Sequence, residues 1–240
     1  MSILLDPPGA FGTLREAPVA LRRRPALSPA EVAVADASLA EATPPEIVRW
    51  AFDTFGRRLV LTASFADTTL IDIATGVDPD IEVVFLDTGF HFAETLNVVR
   101  RAMDRYALNL TVLRPDPDAT DLWASGTRAC CDARKVQPLD RYLAGHAHAW
   151  LSGLRRADDP GRANAPIVSV DKRGLVKVNP IATMTDDQYQ RYIADHEVLV
   201  NTLQLDGYAS IGCWPCTEPS TEGRAGRWAG SDKTECGLHL

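Results

Sequence analysis

The five cysteines of this 240-residue chain stand in three groups. Cys130 and Cys131 are adjacent, Cys213 and Cys216 form a C-x-x-C motif, and Cys236 lies within the last five residues. Four thiolates are a ligand set for metal centres, whereas a single accessible thiolate is a nucleophile. We therefore expect the first four, called the cysteine quartet below, to hold a metal centre and the fifth to react with a substrate.

The spacing of the quartet favours an iron–sulfur cluster over zinc. Adjacent cysteines reach the separate irons of a cuboidal cluster more easily than two corners of one zinc tetrahedron. A disulfide framework is disfavoured because the N-terminus shows no secretory signal, which predicts a cytoplasmic protein with reduced thiols. From the residues alone, zinc and then structural or redox thiols stay as the alternatives.

The C-x-x-C motif also resembles the redox pair of thioredoxin. In that fold most of the domain follows the motif, but here only residues 217–240 do. This segment includes Pro219, Gly223 and Gly226. It cannot supply a sheet and helices, so the thioredoxin interpretation is rejected.

Composition indicates one ordinary globular domain with appended arms. The chain is 45% hydrophobic and 24% charged. Its formal net charge of -7 argues against a nucleic-acid surface, which needs an excess of Lys and Arg. No apolar run approaches the length of a membrane span. We expect neither nucleic acid nor membrane as a partner, and any anion must be held by a local cluster of cations.

Hydrophobic patterns predict alternating strands and helices. Strands are expected at 59–63, 81–86 and 110–114, with helices at 67–75 and 92–106 between them. This βαβαβ succession predicts an α/β fold with a parallel sheet, helices on both faces, and ligands at the carboxyl ends of the strands. Capping boxes that begin at Ser28, Thr43 and Thr185 predict helices at 29–42, at 44–55 and from Thr185 to about 204. A strand ending at Gly153 and a hairpin over 168–178 are also expected.

Small polar residues follow the predicted strands, where a parallel sheet binds its ligands. Ser64 comes after the first strand, where backbone N–H groups at a helix start receive phosphate or sulfate oxygens, although a plain N-cap role is an equal alternative. Two further strand ends are marked by Asp87, Thr88, Gly89 and Gly153. We expect these residues to contact the substrate.

Five cations fall next to the cysteines and the strand ends. Lys135 lies four residues after Cys131, and on the same face if that stretch is helical. A cluster bound by four thiolates is negatively charged, so Lys135 can offset this charge while facing a second anion. The other cations expected at the same substrate site are Arg155, Arg156, Arg224 and Arg227.

Cys236 is expected to be the catalytic nucleophile because a lone cysteine in a flexible tail is not a packing residue. Its acidic neighbour Glu235 disfavours the thiolate, so a reactive thiolate requires cations nearby. Arg224, Arg227 and His239 are the candidates.

Together these motifs resemble the assimilatory sulfonucleotide reductases, and among them the cluster-containing adenosine 5'-phosphosulfate (adenylyl-sulfate) reductases. The resemblance runs from about Leu59 to the end of the chain, and the three cysteine groups are highly specific as a set. It is carried by Leu86-Asp87-Thr88-Gly89, the quartet with Lys135, Gly153 through Arg156, Val178-Asn179-Pro180, Gly226-Arg227-Trp228 and Glu235-Cys236-Gly237-Leu238-His239.

The resemblance implies an adenine-nucleotide alpha-hydrolase-like, or ATP-pyrophosphatase-like, fold that holds one four-iron four-sulfur cluster. The substrate it implies is adenosine 5'-phosphosulfate. The Cys236 thiolate attacks the substrate sulfur and expels AMP, and thioredoxin then releases sulfite from the enzyme thiosulfonate. A homo-oligomer is compatible with this chemistry.

Three regions are expected along the chain. Residues 1–27, rich in proline and glycine, are predicted to form a flexible arm. Residues 28–206 are predicted to form the nucleotide-binding α/β domain. Residues 207–240 are predicted to form a cluster-binding segment and a mobile catalytic tail.

Three other functions stay as alternatives. A 3'-phosphoadenylyl-sulfate reductase uses the same chemistry, but most such enzymes lack the cluster. An iron–sulfur tRNA thiolase of ATP-pyrophosphatase type needs S-G-G-x-D-S after the first strand and a basic RNA-binding surface, and this chain has neither. A cluster-bearing sensor leaves the tail motif unexplained. The segment Ser64-Phe65-Ala66-Asp67 departs from the family pattern because it has no glycine.

Overall fold

The computed structural model describes residues 27–228 together with Lys233, Glu235, Gly237 and Leu238. Apart from Leu27, the predicted flexible arm lies outside the described residues, as do Cys236 and His239. Within the described part of the chain, no helix is both long and apolar enough to cross a membrane.

The strands form a six-stranded, mostly parallel sheet in the order β3-β2-β1-β4-β6-β5. Only β5 runs antiparallel, pairing with β6 as the predicted hairpin. The α/β prediction with a parallel sheet is therefore confirmed. The strands are β1 (Leu59–Ala63), β2 (Glu82–Leu86), β3 (Asn109–Leu113), β4 (Ala149–Ser152), β5 (Val168–Val170) and β6 (Val176–Val178).

Seven α-helices accompany the sheet in the described residues. Three of them begin where the sequence predicts a capping box, at Ser28, Thr43 and Thr185, and each box is formed. The helices are α1 (Pro29–Ser38), α2 (Pro44–Phe55), α3 (Thr69–Val77), α4 (Ala93–Tyr106), α5 (Leu122–Cys131), α6 (Gln137–Leu143) and α7 (Asp186–Asp195).

Two helices end earlier than the sequence predicts. Helix α7 was expected to reach about residue 204, but Glu197 adopts a left-handed conformation with φ of 50°, and this reverses the chain so that Val198 and Leu199 are buried. Helix α1 ends at Ser38 instead of residue 42. The prolines that begin α2 require an extended residue before them, and Thr43 is extended.

The sequence did not predict α5 and α6, and a π-helical turn over Asp132–Val136 joins them. Gly126 has a φ of 75° inside α5, and Pro138 lies in the first turn of α6. These residues interrupt the helical pattern, which explains why it was not recognised. π-Turns are frequent at functional sites, and this one carries Lys135 directly after the paired cysteines.

Alternating side chains build a core on each face of the sheet. Leu61 and Phe85 belong to the core that contains α1 to α4, whereas Val60 and Trp150 face the opposite core, where α6 packs through Leu139. Leu139 is fully buried, which contributes about 2 kcal/mol. This packing holds α6, and with it the π-turn, against the sheet.

The strand order places a topological switch point between β1 and β4. From β1 the chain proceeds through β2 to β3 on one side, then returns to β4 on the other side of β1. The carboxyl ends of β1 and β4 therefore lie side by side with diverging connections. Open α/β sheets bind ligands in the crevice at such a point.

Candidate active site and metal centre

A cavity of about 520 Å³ lies at this carboxyl edge of the sheet. Its volume is within the range of small-molecule sites. It is called the edge pocket below, and residues from β1, β2 and β4 line it together with the loops that follow β4 and α7. Six of the predicted substrate residues line it, namely Ser64, Lys135, Gly153, Arg155, Arg224 and Arg227.

Four of the predicted substrate residues that the structure describes do not line the edge pocket, namely Asp87, Thr88, Gly89 and Arg156. Thr88 lies instead beside the cysteine quartet. Asp87 accepts a hydrogen bond from Arg114 Nε at 3.2 Å, and Gly89 lies in an exposed turn with φ of 77°. Arg156 donates from Nε to the carbonyl of Ala165 at 2.8 Å. The side chains of Asp87 and Arg156 thus have hydrogen-bond partners outside the pocket.

The cysteine quartet lines one narrow cavity next to the edge pocket. Cys130 and Cys131 end helix α5 and are buried. Cys213 approaches Thr88, with 3.3 Å between its Sγ and the threonine Oγ1. Residues 82 positions apart in the sequence, from Cys131 to Cys213, are thus brought to one place.

Burial and mutual repulsion disfavour ionised thiols in this cavity. Burial, followed by the neighbouring Cys131 and Cys213, raises the pKa of Cys130 to about 11. Burial also raises the pKa of Cys216. Four thiolates can therefore coexist here only around a positively charged centre, whose binding releases protons.

The donor set fits an iron–sulfur cluster. Four soft sulfur ligands in a buried cavity with cations beside them are the ligands that such clusters use. Among the residues that the structure describes, no group of three His, Cys, Asp or Glu side chains is arranged to hold a single metal ion. Cys130, Cys131, Cys213 and Cys216 are the residues that would hold an iron–sulfur cluster.

Lys135 and Arg227 line both the quartet cavity and the edge pocket. Both cations favour ionisation of Cys216, which places their charges within electrostatic reach of the quartet. The two cavities thus share a positively charged wall. Lys135 thus borders both cavities, and its expected contact with a metal centre and a second anion stays a prediction.

Arg227 is held against the backbone of the segment that precedes the C-x-x-C motif. Its Nη1 donates to Ser210 Oγ at 3.3 Å and to the carbonyl of Ile211 at 3.2 Å. A Cβ atom at Gly212 would lie 2.3 Å from Arg227 Nη2. Gly212 is therefore needed for the guanidinium group to occupy this position.

Trp228 organises the loop of residues 217–228, called the arginine loop below. Its ring is contacted by Arg227 at 4.5 Å, Arg224 at 5.4 Å and Lys233 at 5.1 Å, measured to the ring centroid. Trp228 is buried and has a φ of 53°. One buried ring thus gathers cations from two segments, which the sequence spacing does not reveal.

Sequence reasoning missed the polar partners of Arg155. Tyr189 donates from its hydroxyl to Asp67 Oδ2 at 2.6 Å, and Arg155 lies 4.0 Å above the Tyr189 ring. Arg155 also pairs with Asp158 at 2.8 Å and Asp186 at 2.9 Å. Asp158 is a local partner, but Tyr189 and Asp186 belong to α7, far along the chain, so no local signal identifies them.

Phe65 lies in the segment Ser64-Phe65-Ala66-Asp67 that follows β1 and contains no glycine. Its φ of 55° lies in the left-handed region, which costs a non-glycine residue about 1 kcal/mol or more. The side chain is fully buried and meets Phe85 edge to face at 5.3 Å. Packing therefore stabilises a backbone turn that glycine adopts without cost.

Comparison with known proteins agrees with these features. Residues 58–219 match the phosphoadenosine phosphosulfate reductase domain. The chain is 47% identical over 215 residues to an adenosine 5'-phosphosulfate reductase of Mycobacteroides abscessus, which covers 85% of this chain and 90% of that relative. It is 46% identical over 213 residues to an adenosine 5'-phosphosulfate reductase of Streptomyces coelicolor, with coverage of 84% and 90%.

Two solved structures are informative about the fold. Phosphoadenylyl-sulfate reductase from Candida auris, in a phosphate complex, has a TM-score of 0.70 and 28% identity, and the match covers 80% of this chain and 98% of that one. FMN adenylyltransferase from Candida glabrata has a TM-score of 0.58 at 15% identity, with coverage of 79% and 66%, and shows a shared fold alone. The predicted adenine-nucleotide alpha-hydrolase-like class is confirmed. Since the domain match covers more than half of the chain, and curated relatives match most of it, the chain belongs to the phosphoadenosine phosphosulfate reductase domain family.

Proposed function

We propose that this protein reduces adenosine 5'-phosphosulfate to sulfite and AMP. The observation that carries the proposal is the wall shared by Lys135 and Arg227, which joins a four-cysteine cavity to an edge pocket of nucleotide size. A substrate that is a nucleotide with an anionic reacting end suits such a pocket. Relatives named adenosine 5'-phosphosulfate reductase support this choice of nucleotide.

The quartet is proposed to hold one four-iron four-sulfur cluster. Cys130, Cys131, Cys213 and Cys216 are the ligands. The cluster supplies negative charge beside the pocket when it is bound, and Lys135 and Arg227 offset this charge while they attract the phosphosulfate. The alternative metal is zinc. Analysis of acid-labile sulfide distinguishes the two, because a zinc site contains no inorganic sulfide.

Cys236 is proposed to be the nucleophile. Its thiolate attacks the substrate sulfur, so that a sulfur–sulfur bond forms while the bond from sulfur to the phosphate oxygen breaks and AMP leaves with the electron pair. The cations of the edge pocket stabilise the negative charge that develops on the phosphate. The enzyme is left as a thiosulfonate on Cys236.

A dithiol protein of the thioredoxin class is proposed to complete the reaction. One of its thiolates attacks Cys236 Sγ and expels sulfite, which forms a mixed disulfide. Its second thiol then attacks the first, so the partner becomes a disulfide and Cys236 returns as a thiolate. The two electrons that reduce the substrate sulfur come from these two thiols.

The decisive experiment measures sulfite release with reduced thioredoxin from adenosine 5'-phosphosulfate and, in parallel, from its 3'-phosphorylated form. We expect turnover with the first nucleotide only. Without thioredoxin, substrate should release one equivalent of AMP and add one sulfonate to the peptide that contains Cys236. Cys236→Ser should bind AMP but form no adduct, because its hydroxyl is not ionised at neutral pH. Turnover with the 3'-phosphorylated nucleotide alone, or an adduct on Cys213, would overturn the proposal.

A further inference from the structure

The carboxylate of Glu235 is bound between two arginines at the rim of the edge pocket. Its Oε2 accepts hydrogen bonds from Arg162 Nε at 3.0 Å and Nη2 at 2.5 Å, and its Oε1 accepts one from Arg224 Nη2 at 3.0 Å. The side chains are only 20% exposed for Glu235, 10% for Arg162 and 14% for Arg224. At this burial, losing one partner is far more costly than at a surface ion pair.

The residue on the other side of position 236 is also bound to the body of the protein. The carbonyl of Gly237 accepts a hydrogen bond from Lys172 Nζ at 2.9 Å. A Cβ atom at Gly237 would lie 3.0 Å from Val136 Cγ2, so the backbone approaches the π-turn closely. Leu238 packs with the core that contains α6. Both neighbours of the terminal cysteine are therefore anchored.

The anchors connect separate parts of the site. Arg162 lies in the loop that follows β4 and also reaches Asp158 at 3.6 Å, whereas Arg224 belongs to the arginine loop. Glu235 and Leu238 both line the edge pocket. The three-residue clamp Arg162–Glu235–Arg224 thus ties the tail to the two loops that border the pocket.

The clamp also changes the electrostatic role of Glu235. The sequence predicts that this carboxylate disfavours a thiolate at Cys236. In the structure its charge is balanced by two guanidinium groups that donate to both of its oxygens. Two guanidinium groups and one carboxylate give the clamp a net positive charge. Asp158, which pairs with Arg162, neutralises this charge when it is counted with the clamp.

We propose that Glu235 is a positioning residue that anchors the chain next to Cys236 through its hydrogen bonds with Arg162 and Arg224. This inference rests on the proposed function, because it assigns the clamp to the sulfur-transfer step. A misplacement of about 1 Å lowers the rate of such a step on the order of a hundredfold.

The test compares Glu235→Gln with wild type in the cluster-loaded protein without thioredoxin. Glu235→Gln should slow the single-turnover release of AMP roughly a hundredfold while the dissociation constant of AMP stays within about twofold. Hydrogen exchange of the peptide covering residues 229–240 should become faster in Glu235→Gln in the absence of nucleotide. The matched control is Glu222→Gln, which removes an exposed carboxylate of the arginine loop and should change none of these three quantities.

A double-mutant comparison separates the clamp from direct substrate binding. If Arg162 acts through Glu235, then Arg162→Ala with Glu235→Ala together should be no slower than the slower single variant. Effects on the rate of AMP release that multiply in the double variant would contradict the proposal. A slow variant whose residues 229–240 exchange hydrogen at the wild-type rate would also contradict it. Exchange does not depend on turnover. A wild type that releases no AMP would therefore refute the proposed function, and the exchange data would still decide whether Glu235 anchors the tail.

Discussion

Gly212 and Gly226 shape the arginine loop because neither position has room for a Cβ atom. At Gly226 that atom would lie 2.1 Å from the carbonyl oxygen of Glu218, a rigid backbone group. At Gly212 it would meet the flexible end of Arg227 instead. A larger residue at Gly226 would therefore disturb the fold of the loop. A larger residue at Gly212 would mainly displace the guanidinium group of Arg227.

Gly212→Ala is expected to reproduce the effect of Arg227→Ala. The added methyl group pushes the guanidinium away from the wall shared by the two cavities, and loss of one such charge should lower kcat/KM on the order of a hundredfold. The free energy of unfolding should change by less than about 1 kcal/mol in Gly212→Ala. Gly76→Ala is the control, because a Cβ atom there meets nothing within 4 Å.

Steady-state kinetics with adenosine 5'-phosphosulfate and urea unfolding check this expectation. Wild-type kcat/KM in both Gly212→Ala and Arg227→Ala would contradict the role given to the shared wall. Low activity in Gly212→Ala combined with a large loss of stability would show that the glycine supports the fold instead.

At the scale of elements, a polar cluster ties β2, β3 and α6 at the amino-terminal edge of the sheet, away from the pocket. Glu82 begins β2 and accepts hydrogen bonds from Thr111 Oγ1 at 2.5 Å, from His146 Nε2 at 2.8 Å and from the Tyr142 hydroxyl. Burial alone would raise the pKa of Glu82, but these hydrogen bonds outweigh burial and lower it to about 2.

This lowered pKa predicts a pH-dependent contribution to stability. Because the folded pKa of Glu82 lies below the unfolded value, the contribution is present above pH 4.5 and is lost as the pH falls toward 2. After allowance for solvent screening, it should amount to about 1–2 kcal/mol. Urea unfolding should show that the free energy of unfolding of wild type exceeds that of Glu82→Gln by this amount at pH 6. This difference should shrink as the pH falls below 4.5.

Glu41→Gln is the control for this titration, because Glu41 is exposed and should leave the pH dependence unchanged. A difference between wild type and Glu82→Gln that stays constant from pH 6 to pH 2.5 would contradict the linkage. The difference would then reflect packing and not charge.

At the scale of the whole molecule, the quartet joins the end of α5 to the segment just before the arginine loop. Trp214 donates its backbone N–H to the carbonyl of Phe90 at 2.9 Å, so this segment also contacts the loop after β2. A metal centre bound by all four thiolates would crosslink these regions. Binding to the folded state alone stabilises it.

Loss of the cluster is therefore expected to lower the thermal unfolding temperature by several degrees. Cys213→Ser should lose iron and acid-labile sulfide and unfold at this lower temperature, and wild type freed of iron should match it. Cys236→Ser is the control, because it should keep both the cluster and the wild-type temperature. One zinc without sulfide in the anaerobic protein, or equal unfolding temperatures with and without iron, would contradict the expectation.

The parts of this molecule that depend on local pattern were predictable from sequence. The capping boxes at Ser28, Thr43 and Thr185, the alternating strands and the parallel sheet follow from neighbouring residues and period. Helices α5 and α6 were not predicted, because Gly126 and Pro138 interrupt their hydrophobic period. Tertiary packing of Leu139 stabilises α6, whose local sequence does not indicate a helix. Family membership was predictable because the three cysteine groups are specific as a set, and it is confirmed.

By itself, the sequence determined which reactive groups this protein carries: four cysteines that are predicted to bind a metal centre, a fifth cysteine near the end, and cations close to both in sequence. Only the tertiary structure decided which cations meet. It places Lys135 and Arg227 in one wall, directs Arg156 away from the pocket, and brings Arg162 to Glu235, 73 residues later. The physical reason is that reactive groups are a property of residue type, whereas convergence depends on strand order and loop packing, which are contacts between residues far apart in the chain.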